Sequence, residues 1–277
     1  MVYPKYSVLM SLYIKENPQY FRAALDSMIQ QTVMPDEIVI VEDGPLTKDL
    51  YETLDEYENR YIDLIKRVKN ETNLGLGKAL NAGLKECRND LVARMDTDDI
   101  SKLDRCEKQL KVFMENPELS IVGTGIAEFE DAVDNIISIR SVPVGKEKIS
   151  SYIKKRCPLN HMSVIFRKVD VEKVGGYQDW HYNEDYYLWI RMYEANMTFD
   201  NISENLVDVR VGKEMYQRRG GWKYFKSEAK LQKYMYKHKV IGFFTYCSNV
   251  VKRFIVQILL PNKLRGWVYK KFARKEC

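Results

Sequence analysis

Three aspartates stand within four consecutive positions of this chain, directly after a short apolar run. The segment reads ARMDTDDIS, with Asp96, Asp98 and Asp99 following the strand-like residues 91–95. Side chains at positions i and i+2 of an extended segment point the same way, so Asp96 and Asp98 can act on one ligand. Mg²⁺ and Mn²⁺ prefer oxygen ligands, and Mg²⁺ commonly takes one or two carboxylates together with phosphates. The spacing therefore suits a D-x-D site for a divalent cation that carries a nucleotide diphosphate.

The same three aspartates could instead begin the helix predicted for residues 101–116. Asp99 would then be the helix cap, because acidic side chains interact favourably with the helix dipole there. An EF-hand loop fits less well, because Ser101 replaces the glycine of its tight turn and Ile100 stands at a ligand position. Ile100 also replaces the threonine that a phosphatase D-x-D-x-T motif needs. The cation site and the helix start both remain open at this point.

The segments around these aspartates alternate between strand and helix. Uniformly apolar runs predict buried strands, and segments with helical spacing of apolar residues predict the helices between them. The predicted strands are residues 7–13, 37–44, 62–68 and 91–95, and the predicted helices are residues 18–31, 46–61 and 73–87. This order predicts an α/β fold, with a mostly parallel sheet and helices on both faces. Ligands of such sheets bind at the carboxyl ends of the strands, where Asp43 and the three aspartates fall.

The rest of the chain divides into a mixed middle part and a basic end. Residues 120–130, 135–142 and 163–168 are predicted strands, and residues 183–196 are a predicted helix. We take residues 1–212 as one folded unit and residues 213–277 as a separate aromatic and basic helical region. That region has 17 Lys and Arg against 3 Asp and Glu, although the whole chain has a net charge of only +5. Such asymmetry predicts an anionic partner for the C-terminal region.

Composition and cysteine usage narrow the class of protein. The chain has 277 residues, 45% of them hydrophobic and 30% charged, which suits a soluble domain with a sizeable core. Its five cysteines are scattered and form no C-x-x-C pair, so we expect reduced thiols and no zinc site. We find no basic and apolar leader at the start and expect a cytoplasmic location.

Six segments together resemble the inverting glycosyltransferases of family 2, which have the GT-A fold. They occur in order between Ser7 and Arg219 and are SVLMSLY, QQTVMPDEIVIVEDG, NLGLGKALNAGL, ARMDTDD, NHMSVIFRK and NEDYYLWIRM. Members of this family transfer a sugar from a nucleotide sugar, most often a UDP-sugar, with Mg²⁺ or Mn²⁺. The segments ARMDTDD and RRGGWKY are most similar to bacterial enzymes that assemble capsule, O-antigen or exopolysaccharide of the amylovoran type. The resemblance implies a metal-dependent inverting hexosyltransferase.

The resemblance also implies roles for residues near the donor nucleotide. Asp43 would hydrogen-bond the uracil ring, and the less favoured alternative is that it only begins an Asp-Gly-Pro turn. Asn73, Gly75 and Lys78 match the segment that lies near the base and phosphates, or they are only a glycine-led helix start.

Two further roles concern the metal and the reaction. Asp98 would bind the metal directly, and Asp96 would touch the ribose or the metal. Asp185 matches the general base that takes the proton of the acceptor hydroxyl, and a helix start there would help to keep it ionised. Glu184 is the fallback base, and the alternative is that both acidic residues only begin a helix.

Four more residues are implied in substrate contacts. His161 lies where family members line the acceptor pocket, although a buried histidine is an equal alternative. Trp180 is a candidate for stacking on an acceptor sugar or else a core aromatic. Arg218 and Arg219 match basic residues that close over the donor diphosphate, for which arginine forks are suited, or they only begin the basic region.

Three interpretations of the C-terminal region are open: a surface that lies on an anionic membrane, a nucleic-acid contact, or a helix pair that covers the core. The aromatic and basic interleaving, without a recognisable nucleic-acid-binding fold, favours the membrane surface and no nucleic acid. We therefore expect an enzyme on the inner face of the cell membrane. It would move a hexose, with galactose one candidate, from a UDP-sugar to a polyprenyl-diphosphate-linked saccharide.

Two rival classes of function remain. A sugar-nucleotide nucleotidyltransferase would need a glycine-rich phosphate loop after the first strand, and this chain has SLYIKENPQY there, without a glycine. The second rival is a non-catalytic carbohydrate-binding or membrane-binding protein of the same fold. Hydrolysis of UDP-sugars by the purified protein would distinguish an enzyme from such a binding protein.

Overall fold

The fold is a nine-stranded sheet with helices packed on both faces. The computed structural model describes residues 2–212, 220–261, 264–266 and 268. Its strands are β1 (Tyr6–Leu12), β2 (Glu37–Asp43), β3 (Ile65–Asn70), β4 (Leu91–Arg94), β5 (Ile100–Ser101), β6 (Leu119–Phe129), β7 (Ile136–Arg140), β8 (Ile165–Arg167) and β9 (Thr198–Arg210). Its helices are α1 (Pro18–Ile29), α2 (Lys48–Arg60), α3 (Leu76–Glu86), α4 (Arg105–Glu115), α5 (Lys146–Ile153), α6 (Lys168–Lys173), α7 (Glu184–Glu194), α8 (Trp222–Lys237) and α9 (Phe243–Phe254). A 3₁₀ turn covers His161–Ser163, and a π-helical turn, Ile255–Leu259, follows α9.

The first four strands form the parallel half of the sheet, in the order β3-β2-β1-β4. Alternate side chains of β1 enter different cores: Val8 and Met10 join the cluster with α1 and α2, and Leu9 joins the cluster with α3 and α7. A strand that is covered on both faces must be apolar throughout, which explains the uniform runs in the sequence. The predicted α/β fold is confirmed, with helices on both faces.

Beyond β4 the sheet becomes mixed. The short strand β8 runs antiparallel to both β4 and β6, and β6 then pairs in parallel with the long strand β9. The strand β7 pairs with the far end of β6 in an antiparallel hairpin. The carboxyl ends of the parallel half and the far ends of β6 and β9 therefore surround the turn after β4.

Helices α8 and α9 pack against the rest of the domain. Leu231 and Met235 of α8 are buried in the same apolar cluster as α3 and α7. Trp180 Nε1 donates to the Ser227 carbonyl at 3.2 Å, and Asn249 Nδ2 donates to the Lys154 carbonyl at 2.9 Å. Among the described residues, no helix is both long and apolar enough to span a bilayer. The described part of the C-terminal region thus forms a helix pair that covers one side of the core.

Candidate active site

One large cavity contains acidic residues from two distant parts of the chain. Its volume is about 1010 Å³. The turn after β4 contributes Asp96, Asp98 and Asp99 to its lining, and the start of α7 contributes Asp185. The segment between positions 98 and 185 builds β6 to β8, which bring α7 to the same end of the sheet as the β4 turn. The predicted D-x-D residues and the predicted base therefore face a common space.

The β4 turn is held by arginines on either side. Arg94 is buried, and its Nη2 pairs with Asp96 Oδ1. Asp99 is also buried, and its Oδ1 accepts a hydrogen bond from the backbone N–H of Arg210 on β9 at 2.9 Å. The Arg210 guanidinium donates through Nε to the Asp98 carbonyl at 3.3 Å. These contacts fix the backbone of the turn and leave Asp96 and Asp98 half-buried at the cavity surface.

The interpretation of Asp99 as a helix cap is wrong. After Asp99 the chain forms β5, which pairs antiparallel with β9, and α4 begins only at Arg105 with Asp104 as its N-cap. The turn therefore does not lead directly into a helix, and the helix dipole does not account for the three aspartates.

Carboxyl groups crowd together at this end of the sheet. Burial, and then the neighbouring Asp96, raise the pKa of Asp98 to about 6. Burial raises the pKa of Asp99 well above its ordinary value, with Asp96 and Asp98 adding to the effect. Glu16, in the loop after β1, has its pKa raised to about 7 by burial and by Asp98 and Asp96. Glu16 was not predicted from the sequence, although its position just beyond the carboxyl end of a parallel strand was a usable signal.

This acidic cluster suits a divalent cation that arrives with a nucleotide. Among the described residues, no three His, Cys, Asp or Glu side chains are arranged as a complete metal cage. Mg²⁺ sites commonly need only one or two carboxylates when substrate phosphates complete the coordination. Burial and the repulsion between carboxylates both raise the pKa of Asp98 and Glu16, and a cation beside Asp98 would offset both, so the oxygen ligands present fit such an ion.

The raised pKa values predict how stability depends on pH when metal and nucleotide are absent. Between about pH 4 and pH 7 the folded protein binds more protons at Glu16 and Asp98 than the unfolded chain does. The free energy of unfolding should therefore fall as the pH rises through this window. Glu16→Gln should flatten that slope in urea unfolding measured at several pH values. The exposed Glu118 provides the control, and a slope equally steep in Glu16→Gln and Glu118→Gln would contradict the expectation.

Asp43 lies at the end of β2 and organises the loop that follows β3. Its Oδ1 accepts from the Leu74 N–H at 2.8 Å, and its Oδ2 accepts from the Gly75 N–H at 3.0 Å. Asn73 Nδ2 donates to the Asp43 carbonyl at 3.3 Å. Gly44 has a φ of 88°, and a Cβ there would lie 2.7 Å from the Asn73 nitrogen, so the close approach needs glycine. Asp43, Asn73 and Gly75 thus lie together at the end of β2.

The helix that follows this loop meets the candidate base segment. Gly75 is the N-cap of α3, and Lys78 is exposed in the first turn of that helix. A Cβ at Gly77 would lie 3.5 Å from Glu184 Cγ, so the starts of α3 and α7 are in contact. Burial is the main cause of a raised pKa at Glu184, with Asp185 adding to it. The start of α3 therefore packs against the start of α7, where Asn183 and Asp185 line the cavity.

Asp185 is the second residue of α7 and is half-buried. Asn183 is the N-cap residue of the helix, but its side chain makes no capping hydrogen bond, and its Nδ2 donates instead to Ser227 Oγ on α8 at 3.2 Å. The Cys157 thiol lies 4.0 Å from Asp185 Oδ2. A carboxylate in the first turn of a helix is stabilised in its ionised form, which suits a group that must accept a proton.

His161 and Trp180 have protein partners that favour their structural interpretations. His161 Nε2 is 2.8 Å from Tyr177 Oη, and burial, with Arg94 adding to it, lowers the pKa of His161 well below its ordinary range. The imidazole is therefore neutral at pH 7. Trp180 is only 7% exposed, and its ring centroid lies 4.2 Å from that of Tyr187. The Lys230 ammonium sits 4.1 Å from the same Trp180 ring, which thus serves as a core aromatic between α7 and α8.

Arg218 and Arg219, predicted to close over the donor diphosphate, lie outside the described residues. Their predicted role stays a prediction.

The family of the chain follows from comparison with known proteins. The model of a family described as Glycosyl transferase family 2 matches residues 7–172, which include the β4 turn. The chain belongs to this family of glycosyltransferases, as the six sequence segments indicated.

Two of the relatives that match almost the whole chain carry specific names. It is 40% identical over 272 residues to the UDP-Gal:alpha-D-GlcNAc-diphosphoundecaprenol beta-1,3-galactosyltransferase of Escherichia coli, with 98% of each chain covered. It is 38% identical over 266 residues to the amylovoran biosynthesis glycosyltransferase AmsE of Erwinia amylovora, with 96% of this chain and 98% of that protein covered.

A solved structure confirms the fold. The mannosyltransferase PcManGT of Pyrobaculum calidifontis, solved in complex with GDP-Man and Mn²⁺, superposes with a TM-score of 0.64 at 14% identity. The match covers 98% of this chain and 76% of that one. The α/β architecture is therefore the GT-A fold.

Proposed function

We propose that this protein is a metal-dependent inverting hexosyltransferase of bacterial surface polysaccharide synthesis. Its donor is a UDP-sugar, with UDP-galactose the first candidate, and its acceptor is a saccharide linked to a polyprenyl diphosphate. The observation that carries the proposal is the single cavity lined by both the Asp96 and Asp98 pair and Asp185. The chain is 40% identical, over 98% of its length, to a galactosyltransferase whose name specifies both substrates, which supports the choice of donor and acceptor.

The residues divide the chemistry between the donor side and the acceptor side of the site. On one side Asp43 holds the loop with Asn73 and Gly75 in the shape that receives the base and ribose. On the other side Asp185 accepts the proton of the acceptor hydroxyl as that oxygen attacks the anomeric carbon. One bond forms between the acceptor oxygen and the anomeric carbon, and the bond to the UDP oxygen breaks on the opposite face. A single displacement of this kind inverts the anomeric configuration.

In this proposal the carboxylates of Asp98 and Asp96 would bind Mn²⁺ or Mg²⁺. When bound, the cation neutralises negative charge on the departing UDP, which is the main electrostatic demand of the reaction. Arg94 pairs with Asp96 and so fixes the orientation of that carboxylate, and Arg210 holds the backbone of Asp98. These contacts preorganise the oxygen ligands before the nucleotide arrives.

A transfer assay tests the proposed function. The purified protein is incubated with Mn²⁺, a panel of nucleotide sugars and a synthetic polyprenyl-diphosphate GlcNAc. We expect transfer from one UDP-sugar and an inverted anomeric proton coupling in the product by NMR. A product with retained configuration would refute the single displacement, and transfer from no donor in the panel would refute the proposed substrates.

We also propose that the enzyme works while bound to the surface of the inner membrane leaflet. Apolar side chains of α8, α9 and the π-helical turn stand exposed at a surface that we call the aromatic surface, formed by Trp222, Phe243, Phe244, Val251 and Leu259. Phe244 is 87% exposed. Exposed lysines of α8 accompany these side chains, among them Lys223, Lys226, Lys233 and Lys237 on a helix with only one acidic residue. Apolar groups beside lysines suit the headgroup region of an anionic membrane.

Vesicle sedimentation tests whether the aromatic surface binds membranes. Phe244→Asp should weaken binding to phosphatidylglycerol-containing vesicles by about tenfold or more, the magnitude expected for one phenylalanine that stays in water. Val169→Asp is the matched control, because Val169 is 57% exposed on α6, outside the aromatic surface. Equal binding of both variants and the unchanged protein would contradict a membrane role for α9.

A further inference from the structure

Basic side chains from three elements other than β4 line the cavity. They are Arg140 at the end of β7, Lys155 and Arg156 in the turn after α5, and Lys252 on α9. We call these four residues the basic wall. The cavity is also lined by Arg210 and Arg253, and its carboxylates come from the β4 turn, Asp185 and Glu228.

The basic wall is held in place by hydrogen bonds from α9 to the turn after α5. Arg253 Nη2 donates to the Lys155 carbonyl at 3.0 Å, and Asn249 Nδ2 donates to the Lys154 carbonyl at 2.9 Å. Arg253 itself pairs through Nε with Glu228 of α8. These bonds fix the turn after α5 against α9, so that Lys155 and Lys252 open onto the same space.

Part of this positive charge has no acidic counterpart. Within the described ranges, neither Lys155 nor Lys252 pairs with a carboxylate, and both are exposed to the cavity or solvent. A concave site with an excess of one charge raises the local concentration of the opposite charge. The basic wall is therefore suited to an anion.

The basic wall begins beside the candidate base. Arg140 Nη2 donates to the Cys157 carbonyl at 3.3 Å, and the Cys157 thiol lies 4.0 Å from Asp185 Oδ2. An acceptor sugar that offers a hydroxyl to Asp185 therefore places its far end toward these cations. In a sugar linked to a lipid diphosphate, that far end is the anomeric phosphate.

Helix α9 separates the cavity from the aromatic surface. Asn249, Lys252 and Arg253 point into the cavity, and the π-helical turn adds Val256 and Gln257. Phe244, Val251 and Ile255, at helical spacings of seven and four, are exposed on the other side. One helix therefore presents cations to the cavity and apolar groups to the outside, which is the order of groups in a sugar diphosphate joined to a lipid chain.

We propose that the basic wall of Arg140, Lys155, Arg156 and Lys252 binds the diphosphate of the lipid-linked acceptor. This assignment rests on the proposed function, in which such a lipid is the acceptor. Arginine forks and lysine ammonium groups form charge-assisted hydrogen bonds with phosphate oxygens. The wall holds the diphosphate, the sugar extends to Asp185, and the lipid chain leaves past α9 toward the membrane.

A diphosphate in this cavity could also belong to the donor nucleotide. The donor contacts proposed above come from the ends of β2 and β4 and the start of α3, whereas the basic wall comes from β7, α5 and α9. The two substrates need separate diphosphate sites in one cavity, and the wall lies with the elements beside Asp185. We therefore assign it to the acceptor, and the experiment compares both.

Calorimetry with two ligands tests the assignment. Lys252→Gln and Lys155→Gln should each weaken binding of an alkyl-diphosphate GlcNAc by about tenfold or more, the magnitude of one lost charge-assisted hydrogen bond. Their affinity for UDP in Mn²⁺ should stay as in the unchanged protein. Lys148→Gln, an exposed lysine on α5 outside the cavity lining of the described residues, should alter neither affinity. Thermal unfolding of each variant checks that it is folded.

The outcomes distinguish a failure of the proposed acceptor site from a failure of the proposed function. The assignment of the basic wall to the acceptor would be refuted if both variants kept the acceptor affinity of the unchanged protein. It would also be refuted if the unchanged protein did not bind the acceptor. If the variants lost affinity for UDP instead, the basic wall would belong to the donor site and its assignment to the acceptor would be refuted. If the expected losses of acceptor affinity are found while the unchanged protein transfers no sugar to this acceptor, the basic wall is supported as the acceptor site and the proposed reaction is refuted.

Discussion

Asp185→Asn is expected to lower kcat for sugar transfer by about 10²–10⁴-fold, the usual contribution of a positioned general base. The asparagine keeps the size of the side chain at the start of α7 but no longer accepts a proton. UDP affinity in Mn²⁺ should not change, because the proposed donor contacts come from β2, β4 and α3. Initial rates with saturating donor and acceptor, together with UDP titration, measure the two quantities separately.

Glu184→Gln is the matched control for this prediction. Glu184 precedes Asp185 on the same helix and contacts Gly77 of α3, so it lies toward the donor side. A modest loss in Glu184→Gln beside a large loss in Asp185→Asn supports Asp185 as the base. The reverse pattern would transfer that role to Glu184, and normal turnover of Asp185→Asn would refute the assignment.

Asp98→Asn is expected to weaken UDP binding in Mn²⁺ by about 10- to 100-fold, the range for one lost charged contact. The amide keeps the shape of the turn but removes a negative ligand. Because burial and Asp96 raise the pKa of Asp98 to about 6, protons compete with the cation for the Asp98 carboxylate. The affinity of the unchanged protein for UDP in Mn²⁺ should therefore rise between pH 5 and pH 7, and that rise should shrink in Asp98→Asn.

UDP titration with and without Mn²⁺ separates the metal role from a general effect on the turn. In chelator, Asp98→Asn should bind UDP as well as the unchanged protein does, or better, since a negative charge near the phosphates is gone. Asp134→Asn, at an exposed position in the loop before β7, serves as the control. A loss of the same size with and without Mn²⁺ would count against the metal role.

Local pattern was sufficient to predict the parallel half of the fold. Strands β1, β2 and β4 are covered on both faces, so their apolar runs are visible in the sequence alone. The start of α1 also follows from local sequence, because Asn17 precedes a proline at the first helical position and its Oδ1 accepts from the N–H groups of Gln19 and Tyr20.

The site was predictable only where the resemblance supplied its members. No local pattern relates Asp98 to Asp185, and the cavity that joins them depends on β6, β8 and β9 pairing across long stretches of sequence. The wrong interpretation of Asp99 has the same cause, because the two-residue strand β5 exists only through its pairing with β9. Glu16 was missed although it follows the carboxyl end of β1, because only the sheet shows that this loop lies beside the D-x-D turn.

The basic region at the end of the chain was visible as a charge asymmetry but not as a structure. Its composition gave no indication that α9 would present Lys252 to the cavity and Phe244 to the outside. That division depends on how α9 packs against α8 and the turn after α5.

The most direct test of the proposed metal and nucleotide site is a crystal structure with UDP and Mn²⁺, using anomalous scattering to locate the metal. We expect a manganese peak at the Asp98 carboxylate, with the UDP diphosphate on its other side and the uracil toward the loop held by Asp43. Asp185 should face the open end of the diphosphate across the cavity. A metal and nucleotide bound away from the β4 turn, with this cavity empty, would contradict the proposed mechanism.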